Sequence, residues 1–371
     1  MPHAFHRLTS RNAPRLGLLA AALAAVLLIA ATPAQTAPFA YVTNTSGSVS
    51  QYRVGAGGLL APLSPPMVAA GNDSSGLAVS PNGHSAYVTN IMDNSISQYS
   101  IGAGGRLTPK SPATVASGGN DPFGVAASPD GHSVYVADES SNFVSQYDAG
   151  VGGELSPKVP ATVLAGGSPN RVVVSPNNKS LYVTNFMNRK VSQYNIGAGG
   201  RLTPKSPAAV AAGFSPLGIA VSPDGHSVYV ANGLDGDLSQ YNVGAGGKLA
   251  AKSPARVAAA GDPVAIAASP NGHGVYVTSK AVGHDSHGWI YQFNIGAGGK
   301  LSPKSPGRVA SADTDPVAVT VSPGSYSVYV TNNIRDNVSQ FNVSGTGKLS
   351  PKSPARVPTG NSPSQVAVIQ R

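Results

Sequence analysis

The sequence predicts an all-β protein, a seven-bladed β-propeller with four antiparallel strands in each blade. Three observations support this prediction. A near-identical tetrapeptide recurs at intervals of 46, 48, 47, 47, 47 and 53 residues, beginning at Tyr41, Tyr87, Tyr135, Tyr182, Tyr229, Tyr276 and Tyr329. Short apolar runs between turn sequences fill each repeat, and the C-terminus carries a strand that the first repeat lacks. A period of this length indicates a repeat architecture.

One repeat shows the order of its four strands. The apolar run LGIAVSPDG (217–225) precedes HSVYVAN (226–232), and a polar loop leads to LSQYNVGAGGKLAAKSPARVAAAG (238–261). Runs of Val, Ile and Tyr this short, bounded by Gly, Pro, Asn and Asp, are typical of strands and too short for helices. Four strands in about 40–50 residues are the pattern of a propeller blade, whereas parallel solenoids use shorter repeats.

The first strand of each repeat is predicted to be the innermost one in the ring. A strand covered on both faces is apolar throughout instead of alternating. The inner runs of this kind are 77–79, 125–127, 172–174, 219–221 and 266–268. We therefore expect them to be buried between neighbouring blades.

The two chain ends predict how the ring closes. No inner strand precedes the first tetrapeptide, and Gln365 to Gln370 has inner-strand composition with no tetrapeptide after it. The C-terminal strand is therefore expected to complete the N-terminal blade, which leaves no open strand edge between the first and last blades. A single domain is predicted over residues 38–371.

Residues 1–37 differ from the repeats and are predicted to be a signal peptide. Three arginines precede an uncharged run from Leu16 to Ala31, and Ala34 and Ala37 are candidate cleavage sites. The run is shorter than the ~20 apolar residues of a membrane-spanning helix. The absence of cysteine is compatible with export, because disulfides are optional outside the cell. We expect a secreted or extracytoplasmic monomer with no transmembrane span in its mature form.

Opposite charges are predicted to occupy different parts of the ring. The face at the channel mouth is assigned twelve acids: Asp73, Asp93, Asp121, Asp138, Glu139, Asp235, Asp237, Asp262, Asp285, Asp313, Asp315 and Asp336. Recurrent LxPKSP-like motifs place basic residues on the outer strands, at Lys110, Lys158, Lys205, Lys252, Lys304 and Lys352. These lysines are expected to form a ring around the circumference that blocks edge-to-edge pairing. Attraction to anionic wall polymers or membranes is the alternative. No nucleic-acid groove with interleaved aromatic residues is visible.

The repeated YVTN, with AVSPDG and VSQY, resembles the YVTN and lactonase-like seven-bladed propellers, a family that includes 6-phosphogluconolactonase-type enzymes and carboxymuconate cyclases. The resemblance covers residues 38–371 and implies the propeller fold. It also implies His, Arg and Glu side chains at the channel mouth of active members, often with a His directly after the Pro that leads into an inner strand. The corresponding residues here include no histidine: Ser75, Phe123, Asn170, Leu217, Val264, Val317 and Ser364.

The next inner-strand position gives the first candidate ligand-binding residue. Most blades have Gly or Ala there, but blade four has Arg171 and blade one has Gln365. An arginine that points into the channel can bind a carboxylate or phosphate through two hydrogen bonds. The alternative is a structural salt bridge from Arg171 to Asp138 or Glu139.

Blade six supplies the other candidates. Its loop over residues 279–288 has five extra residues, and it holds His284, Asp285 and His287, with the only tryptophan, Trp289, directly after it. Insertions in a repeat map to loops, frequently at the binding face. A metal held by His284 and His287 is one interpretation, and an ordinary surface loop is the other. Four further histidines lie one to a turn on the opposite face, too dispersed to bind one metal: His84, His132, His226 and His273.

Two classes of function remain open from the sequence. The first is a secreted scaffold that binds a small molecule or a cell-envelope component through the acidic channel mouth. The second is a hydrolase or isomerase that acts on a lactone. The sequence contains no Ser/His/Asp nucleophile elbow, phosphate loop or cysteine cluster, and no cofactor is expected.

Overall fold

The structure is a computed structural model, and it describes residues 38–280 and 287–370. These residues form 28 strands and four single 3-10 turns at Ala56–Gly58, Ala198–Gly200, Ala245–Gly247 and Ala297–Gly299. The predicted signal peptide at residues 1–37 lies outside the described residues, as do His284 and Asp285. No helix in the described ranges has the length and hydrophobicity needed to cross a bilayer.

The strands form seven four-stranded sheets, one for each blade. Blade one contains β1 (Phe39–Asn44), β2 (Ser48–Val54) and β3 (Leu60–Ala69). Blades two to four contain β4 (Ser74–Val79), β5 (Ser85–Asn90), β6 (Ser95–Ile101), β7 (Leu107–Ala116), β8 (Pro122–Ala127), β9 (Ser133–Asp138), β10 (Phe143–Ala149), β11 (Leu155–Leu164), β12 (Pro169–Val174), β13 (Ser180–Asn185), β14 (Lys190–Ile196) and β15 (Leu202–Ala211). Blades five to seven contain β16 (Pro216–Val221), β17 (Ser227–Asn232), β18 (Asp237–Val243), β19 (Leu249–Ala258), β20 (Asp262–Ala268), β21 (Gly274–Lys280), β22 (Trp289–Ile295), β23 (Leu301–Ala310), β24 (Pro316–Val321), β25 (Ser327–Asn332), β26 (Asn337–Val343) and β27 (Leu349–Pro358).

The last strand, β28 (Pro363–Ile369), closes the ring as the sequence predicts. The sheet of blade one has the order β28-β1-β2-β3, with β28 antiparallel to β1 and Val42 opposite Val366. Val366 packs in one core cluster with Tyr52 of blade one and Tyr329 of blade seven. The seven-bladed, all-β prediction is therefore confirmed, together with closure by the C-terminal strand.

The most buried strand of each blade is the second one, and not the first. Strands β1, β5, β9, β13, β17 and β25 are buried at every residue, because they lie between the sheets of neighbouring blades. The inner strands are partly exposed, for example over Val125 to Ala127. The expected burial of the inner runs therefore holds in part, since one side of these strands borders the central channel.

Repeated hydrogen bonds join each blade to the next around the whole ring. The glutamine of each SQY or equivalent motif accepts a hydrogen bond from the first residue of the next outer strand, as in Leu107 N–H to Gln51 Oε1 at 2.9 Å. Between blades seven and one, Leu60 N–H donates to Gln340 Oε1 at 3.0 Å. The tyrosine hydroxyls of the tetrapeptides bond across the same interfaces, as in Tyr182 to the Gly247 carbonyl at 2.7 Å.

The six lysines of the LxPKSP-like motifs are buried, so the prediction of an exposed basic ring is wrong for them. Only 5% of Lys205 is exposed. Its Nζ donates to Asn195 Oδ1 and to the Gly246 carbonyl, each at 2.6 Å. The equivalent lysine of blade seven, Lys352, reaches the Gly57 carbonyl of blade one at 2.6 Å. The hairpin turn of the next blade covers this part of the outer strand, and the ammonium group donates a hydrogen bond to a carbonyl oxygen of that turn.

Candidate functional site

The inner strands line a narrow central channel with small residues. The cavity in the channel has a volume of ≈ 100 Å³, and Gly76, Gly124, Gly218 and Ala265 lie in its wall. A Cβ atom on Gly124 would lie 2.5 Å from the Asn170 carbonyl oxygen, so the neighbouring strands approach too closely for a side chain. Close approach of backbones is a common reason for glycine within a strand.

Arg171 introduces a cation into this lining of small residues. Its backbone N–H donates to Thr184 Oγ1 at 3.1 Å, which fixes the residue within β12. The guanidinium carbon lies 4.5 Å from the centre of the Phe123 ring of the neighbouring blade. This is cation–π distance. Arg171 and Gln365 are the long side chains in the cavity wall.

The Arg171 guanidinium has no carboxylate partner within the described ranges. No ion pair of Arg171 within 4.0 Å occurs there, so the predicted alternative of a salt bridge to Asp138 or Glu139 is not what the structure shows. Its Nη1 is buried and has no hydrogen-bond partner. Burial lowers the pKa of Arg171 to about 10, and the charge of Glu139 partly opposes this change. The group therefore remains cationic at neutral pH.

Glu139 lies at the start of the loop after β9, and its charge influences Arg171 without an ion pair within 4.0 Å. Its backbone N–H donates to the Asp121 carbonyl at 2.9 Å. Burial raises the pKa of Glu139 above its ordinary value of 4.5, and the charge of Asp121 raises it further, while Asn170 and Arg171 lower it. A carboxylate with a raised pKa beside an unpaired guanidinium is a typical arrangement of a functional site.

Asp138 is a member of the predicted acidic face, but the structure buries it completely within β9. The hydroxyls of Ser117 and Ser145 donate to its two carboxylate oxygens. Burial raises the pKa of Asp138 to about 6 despite these hydrogen bonds. Five other blades have asparagine at this position: Asn44, Asn90, Asn185, Asn232 and Asn332.

The rest of the mouth face is less acidic than the count of carboxylates indicates. Arg256 forms ion pairs with Asp235 and Asp237 at 2.6 and 3.1 Å. Lys280 pairs with Asp315 at 3.2 Å. The sequence does not show that the same loops and outer strands bring bases to these acids. Among the remaining acids, burial raises the pKa of both Asp73 and Glu139, and the nearby charge of Asp121 raises each further.

The two blade-six candidates that the structure describes, His287 and Trp289, do not line the channel cavity. His287 is exposed and lines a cavity of ≈ 450 Å³ with Asp313, Arg335 and Arg356. Trp289 lies under the guanidinium of Arg308, 3.8 Å from its central carbon to the ring centre. The described residues contain no group of three potential metal ligands. The four turn histidines are exposed, as expected.

The sequence matches the model of the lactonase family of seven-bladed β-propellers over residues 34–157, 143–262 and 169–367. These matches cover nearly the whole chain. The protein therefore belongs to the lactonase seven-bladed β-propeller family. A comparison with curated proteins gives no match.

Solved structures with the same fold are distant in sequence. A candidate 6-phosphogluconolactonase from Bacteroides fragilis is 20% identical, with a TM-score of 0.78 over 90% of this chain and 98% of its own. The periplasmic gluconolactonase of Pseudomonas aeruginosa is 21% identical, with a TM-score of 0.74 over 90% and 99%. Kuenenia stuttgartiensis hydrazine synthase is 20% identical, with a TM-score of 0.62 over 81% and 91%. At these identities the similarity shows the fold alone.

Proposed function

We propose that the protein hydrolyses a lactone whose carbonyl group enters the channel beside Arg171. The observation that carries this proposal is the buried Nη1 of Arg171, which has no hydrogen-bond partner. An unsatisfied buried donor costs roughly 1–3 kcal/mol, and more when the group is charged. A ligand oxygen would satisfy that donor, and membership of the lactonase family supports a lactone as the source of the oxygen.

The size of the channel defines how such a ligand would bind. Sites that enclose a small molecule usually have volumes of ≈ 300–1,000 Å³, whereas the channel cavity has ≈ 100 Å³. The cavity is therefore large enough for one polar group, and the ring of the lactone would lie outside it at the mouth. The loops around the mouth would then determine which lactones are accepted.

Arg171 and Glu139 have complementary roles in this proposal. A water molecule attacks the lactone carbonyl carbon while Glu139 accepts one of its protons as a general base. The negative charge that develops on the carbonyl oxygen is stabilised by the Arg171 guanidinium. The ring C–O bond then breaks, and the leaving oxygen takes the proton from Glu139, so that the product is a hydroxy acid. Its carboxylate remains beside Arg171 until it dissociates.

We also propose that the protein acts outside the cytoplasm. The arginine-flanked apolar segment at residues 16–31 supports export, and a propeller of the same fold from Pseudomonas aeruginosa is periplasmic.

Lactones also open slowly in water without an enzyme. Activity assays of this protein therefore need an uncatalysed reference reaction.

The proposed role of Glu139 predicts a specific pH dependence. The base must be ionised, so the rate of lactone opening should rise with pH through the raised pKa of Glu139, which lies above 4.5, and then level off. We expect Glu139→Gln to remove this rise and to lower kcat by roughly 10²–10⁴-fold. The rate of acid release from a panel of sugar and aromatic lactones, measured in a pH-stat, provides the test.

Glu154 supplies the matched control, because the chain has only two glutamates and Glu154 is exposed. Glu154→Gln should leave the rate and its pH profile unchanged. Lactone binding without hydrolysis above the uncatalysed rate would contradict the proposal and favour a binding scaffold. Equal activity of the two glutamine variants would exclude Glu139 as the base.

A further inference from the structure

Blade six departs from the other six blades on one face of its third strand. Tyr291 occupies the position at which the other blades have serine, namely Ser50, Ser97, Ser145, Ser192, Ser239 and Ser339. Phe293, two residues further on the same strand face, replaces a tyrosine that five blades carry. Trp289 lies on this face as well, because alternate residues of a strand point the same way.

Tyr291 and Phe293 border a pocket between blades five and six, which we call the blade-six pocket. Its volume is ≈ 340 Å³, and it is lined by Tyr291, Phe293, Pro303, Gly307 and Arg308 of blade six and by Ala258 to Ala260 of blade five. The volume falls within the range for small-molecule sites, and such sites usually combine apolar walls with a few polar groups. Small residues on one wall and aromatic rings on the other leave room for a planar ring.

The charge of the pocket comes from Arg308, and two equivalent arginines show what is unusual about it. Arg256, Arg308 and Arg356 occupy the same register position in blades five, six and seven. Arg256 pairs with Asp235 and Asp237, and Arg356 pairs with Asp313 at 2.9 Å.

Arg308 pairs with no acid among the residues that the structure describes. It lies on the Trp289 ring and donates to the Tyr291 hydroxyl at 3.3 Å. In blade five the position of Trp289 is taken by Asp237, one of the partners of Arg256. Blade six thus keeps the cation and replaces its carboxylate with an aromatic ring. A carboxylate from a ligand would supply the missing charge.

The replacement of tyrosine by Phe293 leaves an acceptor for a second ligand contact. In the neighbouring blade the Tyr241 hydroxyl donates to the Ala211 carbonyl at 2.6 Å. The equivalent carbonyl for Phe293 belongs to Ala258 of blade five, which lines the pocket and faces a phenylalanine without a hydroxyl. A hydroxyl or amino group on the ligand ring would find an acceptor there.

We propose that the blade-six pocket binds a planar ring that carries a carboxylate. The ring would lie against Tyr291 and Phe293, and the carboxylate would pair with Arg308. This site is separate from the channel beside Arg171, and it does not depend on the proposed lactone hydrolysis.

Fluorescence of Trp289 tests this proposal, because it is the only tryptophan and it contacts Arg308. Benzoate, methyl benzoate and acetate are the three probes. We expect a saturable change with benzoate and affinities about tenfold or more weaker for the other two, since methyl benzoate lacks the charge and acetate lacks the ring. Arg308→Met should weaken benzoate binding by about tenfold or more.

The equivalent arginine of blade five provides the control, and Arg256→Met should bind benzoate as the unmodified protein does. A second variant, Gly307→Val, keeps Arg308 but fills the pocket. Its Cβ would make only ordinary contacts, the nearest being the Lys304 carbonyl oxygen at 3.6 Å, so the variant should fold and bind benzoate more weakly. The proposal is overturned if benzoate gives no saturable response, if Arg308→Met and Arg256→Met bind equally, or if Gly307→Val binds without loss.

Discussion

Deletion of residues 363–371 is expected to destabilise the entire ring, because it removes the inner strand of blade one. The lost strand carries the buried Val366 and Ile369, each worth roughly 1.5–3 kcal/mol if fully buried. It also removes the hydrogen bonds from Thr331 Oγ1 to the Ser364 carbonyl and from Gln365 N–H to Thr43 Oγ1, both at 3.0 Å. Against a total stability of about 5–15 kcal/mol, thermal melting should show a large loss of Tm or no folded protein.

A circularly permuted chain distinguishes the effect of losing the strand from the effect of moving the C-terminus. Residues 363–370 would be placed before residue 38 through a short glycine linker, with the new C-terminus at residue 362. Phe39 lies opposite Ile369 in the sheet, so a tight turn can join the two strands. The permuted chain should melt close to the unmodified protein. An unchanged Tm in the deletion variant would contradict closure by the C-terminal strand.

Asp138→Asn is expected to stabilise the protein at neutral pH. Burial raises the pKa of Asp138 from 3.8 to about 6 in the folded state. Between about pH 4 and 6, Asp138 is therefore protonated in the folded protein and ionised in the unfolded chain. Stability should therefore fall as pH rises from about 4 to 6, and above pH 6 the full cost should reach about 3 kcal/mol. The asparagine variant should lack this fall in a series of thermal melts across that range.

The reverse substitution in blade four is the matched control. Asn185 Oδ1 accepts the Gly166 N–H at 3.0 Å, and its Nδ2 donates to Ser192 Oγ at 2.9 Å. Asn185→Asp should therefore introduce a second destabilisation that grows as pH rises, because it buries another carboxylate. If Tm changes with pH by the same amount in Asp138→Asn and in the unmodified protein between pH 4 and 7, the proposed cost of burying the Asp138 carboxylate is contradicted.

The ring could be predicted from sequence because repetition amplifies weak local signals. A single apolar run does not define a strand order, but seven copies of YVTN or its variants at nearly constant spacing do. The closing strand was evident from composition alone, although β28 begins at Pro363, two residues before the predicted run at Gln365. Burial could not be predicted in the same way, because it depends on which blade covers which strand.

The lysine motifs show why repetition alone can mislead. A lysine that recurs on an outer strand is expected to be exposed, yet Lys205 lies under the hairpin turn of blade five and bonds to Gly246. The sequence contains both partners but gives no indication that they meet, because 41 residues and a blade interface separate them. The regular spacing of the SQY motif likewise gives no reason to expect hydrogen bonds between blades.

Some of the candidate residues could be predicted from the sequence, and others could not. Arg171 stood out because small residues occupy its position in most blades, and the structure places it in the channel wall. The blade-six pocket could not be predicted from the sequence, although Trp289 is conspicuous there as the only tryptophan. Its signal was the exchange of serine for Tyr291 opposite Arg308, which acquires meaning only when the strand register is known.

Hydrolysis of a lactone by the Arg171→Gln variant tests the central claim most directly. Glutamine occupies the equivalent position of blade one as Gln365, and the change removes a guanidinium whose buried Nη1 has no hydrogen-bond partner. We therefore expect Tm to stay constant or rise while kcat/KM falls by about 10²-fold or more. Arg189→Gln is the control, because Arg189 also stacks on a phenylalanine, Phe214, but is exposed. Unchanged kcat/KM in Arg171→Gln, or an equal loss in both variants, would contradict the assignment of the channel mouth as the active site.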